Sequence, residues 1–147
     1  FAAYYFGTTA KKDWSLMIPL IAIVGFVIHP VGGQVWYYSL FWAIPILVHF
    51  FARENLFFKS LGATFTAHAM GGLIWIYGLP TTVELWTGLI PVVMVERLLF
   101  AIGIAASYLV MNTILLKFEQ FVPRRFIRLN PDYNLFKRFA GKAGVKN

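Results

Sequence analysis

Long apolar runs, separated by short polar or glycine-containing segments, dominate the chain up to Phe118. A helix that crosses a membrane needs about 20 mostly apolar residues. By this criterion we predict four spans, at residues 14–31, 35–52, 60–79 and 94–118. The pattern therefore predicts an all-α fold, a polytopic transmembrane bundle of about four spans over residues 1–118. A basic tail on the cytoplasmic side, residues 119–147, follows it.

The stretch 83–93 fits the pattern of spans poorly, because it is apolar but short and contains Pro91. We predict that it is a re-entrant or interfacial segment. The alternative is one continuous helix from Val83 to Phe118, which at 1.5 Å per residue would be roughly 50 Å long and would need tilt or a kink. Pro45 lies inside the second predicted span, where a neighbouring helix would have to satisfy the carbonyl that it frees.

The basic residues predict the orientation of the chain. When the N-terminus is placed in the cytoplasm, only Arg97 of the 13 lysine and arginine residues lies on the outer side. This is the distribution that the positive-inside rule describes, and it puts both ends in the cytoplasm. Aromatic residues near the predicted boundaries are expected to form an interfacial belt: Trp14, Trp36, Trp75, Tyr77 and Trp86.

Composition agrees with a membrane protein, since 59% of the residues are hydrophobic and only 13% are charged. Soluble domains carry roughly 25% charged residues, so this chain could not cover a water-facing surface. The absence of cysteine excludes disulfides, thiolate metal sites and cysteine nucleophiles. The net charge of +7 comes mainly from the tail after Arg124, which we expect to bind anionic lipid of the inner leaflet in preference to nucleic acid.

Ionisable residues inside spans are candidates for function. His68 lies in the middle of the third predicted span. It is a candidate ligand for a metal or haem, a proton relay, or a contact to a bound solute; the alternative is a neutral imidazole that hydrogen-bonds a neighbouring helix. Small residues around it are expected to let another helix approach closely: Ala63, Ala67, Gly71 and Gly72.

The fourth predicted span carries a second stripe with helical spacing, and we expect its face to turn inward. Its members are Arg97, Ala101, Ala105, Tyr108 and Asn112. The two alanines are candidate packing residues, Arg97 and Asn112 are candidate ligand contacts, and Tyr108 is placed at a depth where it would reach His68. Glu96 is a further candidate ligand residue. Because consecutive helix residues point about 100° apart, Glu96 and Arg97 are expected to serve different partners, with a local ion pair as the alternative.

No residue is assigned to catalysis or to a metal. His29 and His49 end consecutive antiparallel spans and are therefore predicted on opposite sides of the membrane, away from His68. The sequence contains no HExxH, GxSxG or Walker-type motif. The cofactor is unknown; bound lipid is expected.

The outer segment, comprising 81–86, 89–93 and 96–98 (TTVELW, LIPVV and ERL), resembles the substrate-binding subunit of energy-coupling-factor transporters. The resemblance is one of topology, without a diagnostic motif. It implies about six spans with both ends inside and a solute bound from outside. Phe1 to Gly7 would then be the end of an earlier helix.

We expect this chain to be a non-catalytic subunit of a larger membrane complex that contributes helix packing and assembly with other membrane subunits. The first alternative is a solute-binding subunit of a small-molecule transporter. The second is a haem- or metal-bearing subunit of a membrane oxidoreductase.

Overall fold

In the computed structural model, residues 2–7, 16–118 and 129–134 are described, and all their regular secondary structure is helical. This confirms the predicted all-α class for these residues. The chain divides into two compact units, Phe1–Ile102 and Gly103–Asn147. The helices are α1 (Ala2–Gly7), α2 (Met17–Ile28), α3 (Pro30–Gln34), a 3-10 helix (Trp36–Ala43), α4 (Ile44–Phe51), α5 (Leu56–Gly78) and α6 (Val83–Lys117).

Among the described residues, α6 is the one helix that is both long enough and apolar enough to cross a membrane. Helix α5 has 23 residues, but polar side chains such as Ser60, Thr64 and His68 make it less apolar. Helix α2 and the run Trp36–Phe51 are apolar but shorter than a standard span. The helices thus support a membrane protein, while the number of crossings stays a prediction.

Within the described part of the first predicted span, α2 ends at Ile28 and not at residue 31, and a short helix, α3, follows it. His29 adopts an extended conformation, as residues before proline tend to do, and this ends α2 at Ile28. Pro30 then begins α3, and the Nδ1 atom of His29 accepts a hydrogen bond from the Val31 amide at 3.3 Å. Gly32 is required here, because a Cβ atom at this position would collide with the Phe26 carbonyl oxygen.

The second predicted span contains two helices, the 3-10 helix and α4, in place of one α-helix. The 3-10 helix places residues three apart above one another, and its buried residues are Tyr38, Ser39 and Trp42. Pro45 lies in the first turn of α4, where its missing N–H leaves no hydrogen bond unmade. Pro45 therefore lies where the two helices of the run Trp36–Phe51 join.

The prediction of a separate re-entrant or interfacial segment at 83–93 is wrong, because α6 continues through Pro91 to Lys117. The structure has the continuous helix that was the alternative. Thr82 supports its beginning by accepting a hydrogen bond from the Leu85 amide at 3.3 Å, and Glu84 lies in the first turn, where a negative charge is favourable. With 35 residues, α6 is about 50 Å long.

Helix α5 is the centre of the first unit and packs against α1, α2, α4 and the 3-10 helix. Four buried rings, Phe26, Tyr38, Trp42 and Trp86, form what we call the aromatic cluster. Phe26 lies 5.0 Å from Trp42 and 4.9 Å from Trp86, and Tyr38 lies 4.9 Å from Trp86, measured between ring centroids. Trp86 is fully buried, so it belongs to the core and not to the interfacial belt predicted for it.

Replacement of Gly72 by alanine is expected to lower the free energy of unfolding by about 1–3 kcal/mol, through overpacking. A Cβ atom at Gly72 would lie 2.6 Å from the Cζ2 atom of Trp42, whose buried ring has little room to move. The matched control is Gly71→Ala on the same helix, where a Cβ atom meets nothing within 4 Å. Chemical unfolding in detergent measures both variants. Equal stability of the two would contradict the close contact.

Candidate functional site

A cavity of about 640 Å³ lies in the first unit between α5 and the first half of α6. Its volume is within the range of small-molecule sites, about 300–1,000 Å³. Most of its wall is apolar, and the large apolar side chains that line it are Ile74, Trp75, Leu79, Leu89, Val92 and Val93. A mostly apolar wall with few polar groups is typical of ligand pockets.

Small residues of α5 leave the space that the cavity occupies. Ala67, Gly71 and Gly78 line it, and a Cβ atom at Gly71 or Gly78 would meet nothing within 4 Å. Gly72 also lines it but lies against Trp42. In this arrangement the small residues at 67 and 71, predicted to pack against a helix, border an open space. Of the other predicted packing residues, Ala63 and Ala101 are buried and Ala105 is half-buried.

Two polar side chains from different helices meet at the cavity wall. The hydroxyl oxygen of Tyr38 and the Nε2 atom of His68 are 3.0 Å apart and form a hydrogen bond. Tyr38 comes from the 3-10 helix and His68 from α5. The imidazole of His68 therefore hydrogen-bonds a neighbouring helix, which was the alternative to a ligand-binding role. His68 nevertheless stays half-buried and lines the cavity.

Glu96 and Arg97 supply the second polar part of the wall. A carboxylate oxygen of Glu96 lies 2.7 Å from a terminal nitrogen of Arg97, which makes an ion pair. The expectation that they serve different partners is therefore wrong, because two long flexible side chains overcome the angle between consecutive helix positions. The guanidinium also lies 4.8 Å from the centroid of the Phe100 ring, a cation–π distance.

Burial differs between the members of this ion pair. The side chain of Arg97 is 14% exposed, whereas that of Glu96 is 45% exposed. The Nε atom of Arg97 is buried and has no hydrogen-bond partner among the described residues. An unmade hydrogen bond on a buried charged group is costly, so the burial of this N–H is unfavourable as the side chain stands.

Three of the five predicted ligand residues, His68, Glu96 and Arg97, line the same cavity. The other two, Tyr108 and Asn112, belong to the second unit. Within that unit the ring of Tyr108 lies 5.8 Å from that of Tyr133.

Asn112 has a structural role in the second unit. Its buried side-chain amide donates hydrogen bonds to the carbonyl oxygens of Asn130 at 2.9 Å and Tyr133 at 2.7 Å. Its side-chain oxygen accepts one from the Asn130 amide at 3.2 Å. These bonds hold the turn at 130–133 against the end of α6.

Sequence reasoning missed Tyr38 and assigned Trp75 only to the interfacial belt. Tyr38 carries a weak signal, since Val35, Tyr38 and Phe41 are spaced by three, as a 3-10 helix requires. Trp75 follows Gly71 by four residues and therefore shares its helix face.

The remaining histidines serve local structure. His29 caps α3, and His49 lies 3.0 Å from a terminal nitrogen of Arg53. Within residues 2–7, 16–118 and 129–134, no group of three or more histidine and carboxylate side chains is placed to hold a metal ion. The basic residues of the predicted tail, from Arg124 onward, lie outside the described residues.

Replacement of Tyr38 by phenylalanine is expected to lower the free energy of unfolding by about 1–3 kcal/mol, because His68 loses its partner in a partly buried place. Tyr37→Phe is the control: it removes an exposed hydroxyl that lies 3.2 Å from Thr87, and it should cost much less. Unfolding curves in detergent distinguish the two. Equal losses would show that the Tyr38–His68 bond contributes little.

Replacement of Asn112 by alanine is expected to accelerate hydrogen exchange at the Asn130 amide by roughly tenfold, since the bond that protects it is lost. Met111→Ala is the control, because Met111 is exposed and lies one position earlier on α6. Hydrogen–deuterium exchange with mass spectrometry measures both. Unchanged exchange in the Asn112 variant would show that the turn is held by other contacts.

Comparison with known proteins adds no relative: no family model, curated protein or solved structure matches this chain. The resemblance to the substrate-binding subunit of energy-coupling-factor transporters therefore stays a prediction. The cavity and its four polar side chains are therefore the basis for assigning a function.

Proposed function

We propose that this chain is a non-catalytic membrane subunit that binds a small solute in the cavity between α5 and α6. The observation that carries the proposal is the convergence of Tyr38, His68, Glu96 and Arg97 on one mostly apolar cavity. Polar groups inside an apolar bundle are costly, and they are retained where they bind or move a solute. A few directed polar groups on an apolar wall fix the orientation of a ligand.

The surface of α6 supports placement in a bilayer. Apolar side chains are exposed along most of its length, among them Val95, Leu99, Ile102 and Met111. A contiguous apolar surface of this kind is unfavourable in water and is suited to lipid or to another membrane protein. We retain about four crossings with both ends in the cytoplasm, on the strength of the distribution of basic residues.

The bundle dimensions are compatible with several crossings. At 1.5 Å per residue, α5 is about 35 Å long. The run Trp36–Phe51 combines a 3-10 helix and an α-helix, which together are about 28 Å long. Both lengths approach the hydrocarbon thickness of about 30 Å.

Association with other membrane subunits and contact of the basic tail with anionic lipid complete the proposal. The first is supported by the exposed apolar residues of α6, and the second by the seven basic residues from Arg124 onward. The haem- or metal-bearing alternative finds no ligand cluster among the described residues to support it.

The test uses Gly71→Leu, which fills the cavity from an open position on its wall, and Gly88→Leu as control. Gly88 is an exposed α6 position with nothing within 4 Å of a Cβ atom, and it does not line the cavity. Each protein is purified from membranes into nanodiscs and denatured, and the released small molecules are identified by mass spectrometry. We expect a solute released in about equimolar amount from the wild type and Gly88→Leu, and lost from Gly71→Leu.

Thermal unfolding of both variants checks that each is folded. Release of no solute from the wild type, or of equal amounts from all three proteins, would contradict the proposal.

A further inference from the structure

We propose that the solute is a flat, ring-bearing molecule with one carboxylate, which binds with its ring over the glycine face of α5 and its carboxylate at Arg97. This inference rests on the proposed solute-binding function and names the class of solute. It follows from three features of the cavity: the shape of its α5 wall, its aromatic lining, and the unequal burial of its charges.

The α5 wall favours a flat molecule. Ala67, Gly71 and Gly78 present little or no side chain, so a planar body can lie close to the helix backbone. Leu89 and Val93 of α6 line the cavity as well and supply apolar contact. This part of the wall has room for a ring, while Ile74 and Trp75 of the same helix line the rest of the cavity.

Aromatic side chains border the space above this wall. Trp75 lines the cavity and is 39% exposed. Tyr38 and His68 contribute two further rings. Offset-stacked and edge-to-face contacts with these rings favour an aromatic or conjugated ligand over a saturated chain.

The charges in the cavity favour an anion. Arg97 is more deeply buried than Glu96, so the positive charge is less screened by solvent than the negative one. Its Nε–H has no partner among the described residues, whereas one terminal nitrogen bonds Glu96. Because Arg97 lines the cavity, a ligand carboxylate would bind its guanidinium with charge-assisted hydrogen bonds, which arginine forms well. An ammonium group would instead pair with the more exposed Glu96 carboxylate, and the cationic probe tests that outcome.

The experiment measures binding of four probes to the whole protein in nanodiscs by equilibrium dialysis, with empty nanodiscs subtracted. The probes are 2-naphthoate, its neutral analogue 2-naphthamide, the cation 2-naphthylmethylammonium, and the unbranched carboxylate decanoate. We expect 2-naphthoate to bind at least about tenfold more tightly than the other three, since a charge-assisted hydrogen bond and ring contacts combine only in that probe.

Two variants locate the binding. Arg97→Gln should weaken 2-naphthoate by about tenfold or more and leave 2-naphthamide nearly unchanged. Gly71→Leu should abolish binding of 2-naphthoate, and Gly88→Leu should not affect it. Because the comparison of probes on the wild type does not depend on any variant, the inference stays testable even if Arg97→Gln is unstable.

Equal binding of decanoate would identify a groove for acyl chains and overturn the inference that the solute bears a ring. Equal binding of 2-naphthamide, or preference for the ammonium probe, would overturn the inference that the solute carries a carboxylate. These failures are distinct from failure of the proposed function. A native solute released from the wild type and lost in Gly71→Leu, together with no preference for 2-naphthoate, would retain the function and reject this class of solute.

Discussion

The packing of Trp86 among the other rings of the aromatic cluster is the interaction on which the architecture of the first unit depends. Trp86 is fully buried, and its ring contacts come from α2 through Phe26, from the 3-10 helix through Tyr38 and from α5 through Trp75. One side chain near the beginning of α6 thus joins that helix to three others. Large aromatic side chains contribute strongly to packing because of the area that each buries.

The same contact explains why a cavity exists. A bulky indole holds the first half of α6 to the bundle, while α5 presents Gly71 and Gly78 on the cavity wall with no side chain to fill the space. Gly72, one residue from Gly71, is closed off by Trp42. The glycines of α5 therefore have two different roles. Gly72 allows the Trp42 ring to pack closely against the helix, whereas Gly71 and Gly78 leave the space of the cavity open.

Periodicity and hydropathy predicted the helical class, the approximate positions of α2, α4 and α5, and three polar residues that line the cavity. The polar residues His68, Glu96 and Arg97 were identifiable because polar groups are conspicuous in an apolar run. What periodicity could not supply was the pairing between distant segments. The hydrogen bond between Tyr38 and His68 joins residues 30 positions apart, and the period of a single helix does not show which distant residue its buried face meets. Pro91 also suggested a break in α6, but the helix continues through it.

The Glu96–Arg97 pair illustrates how a local structural contact and a binding role can coexist. The ion pair lowers the desolvation free energy of burying the Arg97 guanidinium among apolar side chains. Without Glu96 that cost would be larger. The pair uses one terminal nitrogen of the guanidinium, and the buried Nε has no partner among the described residues. In the proposed function, a ligand carboxylate would add a second acceptor to this guanidinium, so Glu96 and the ligand together would offset its cost of burial.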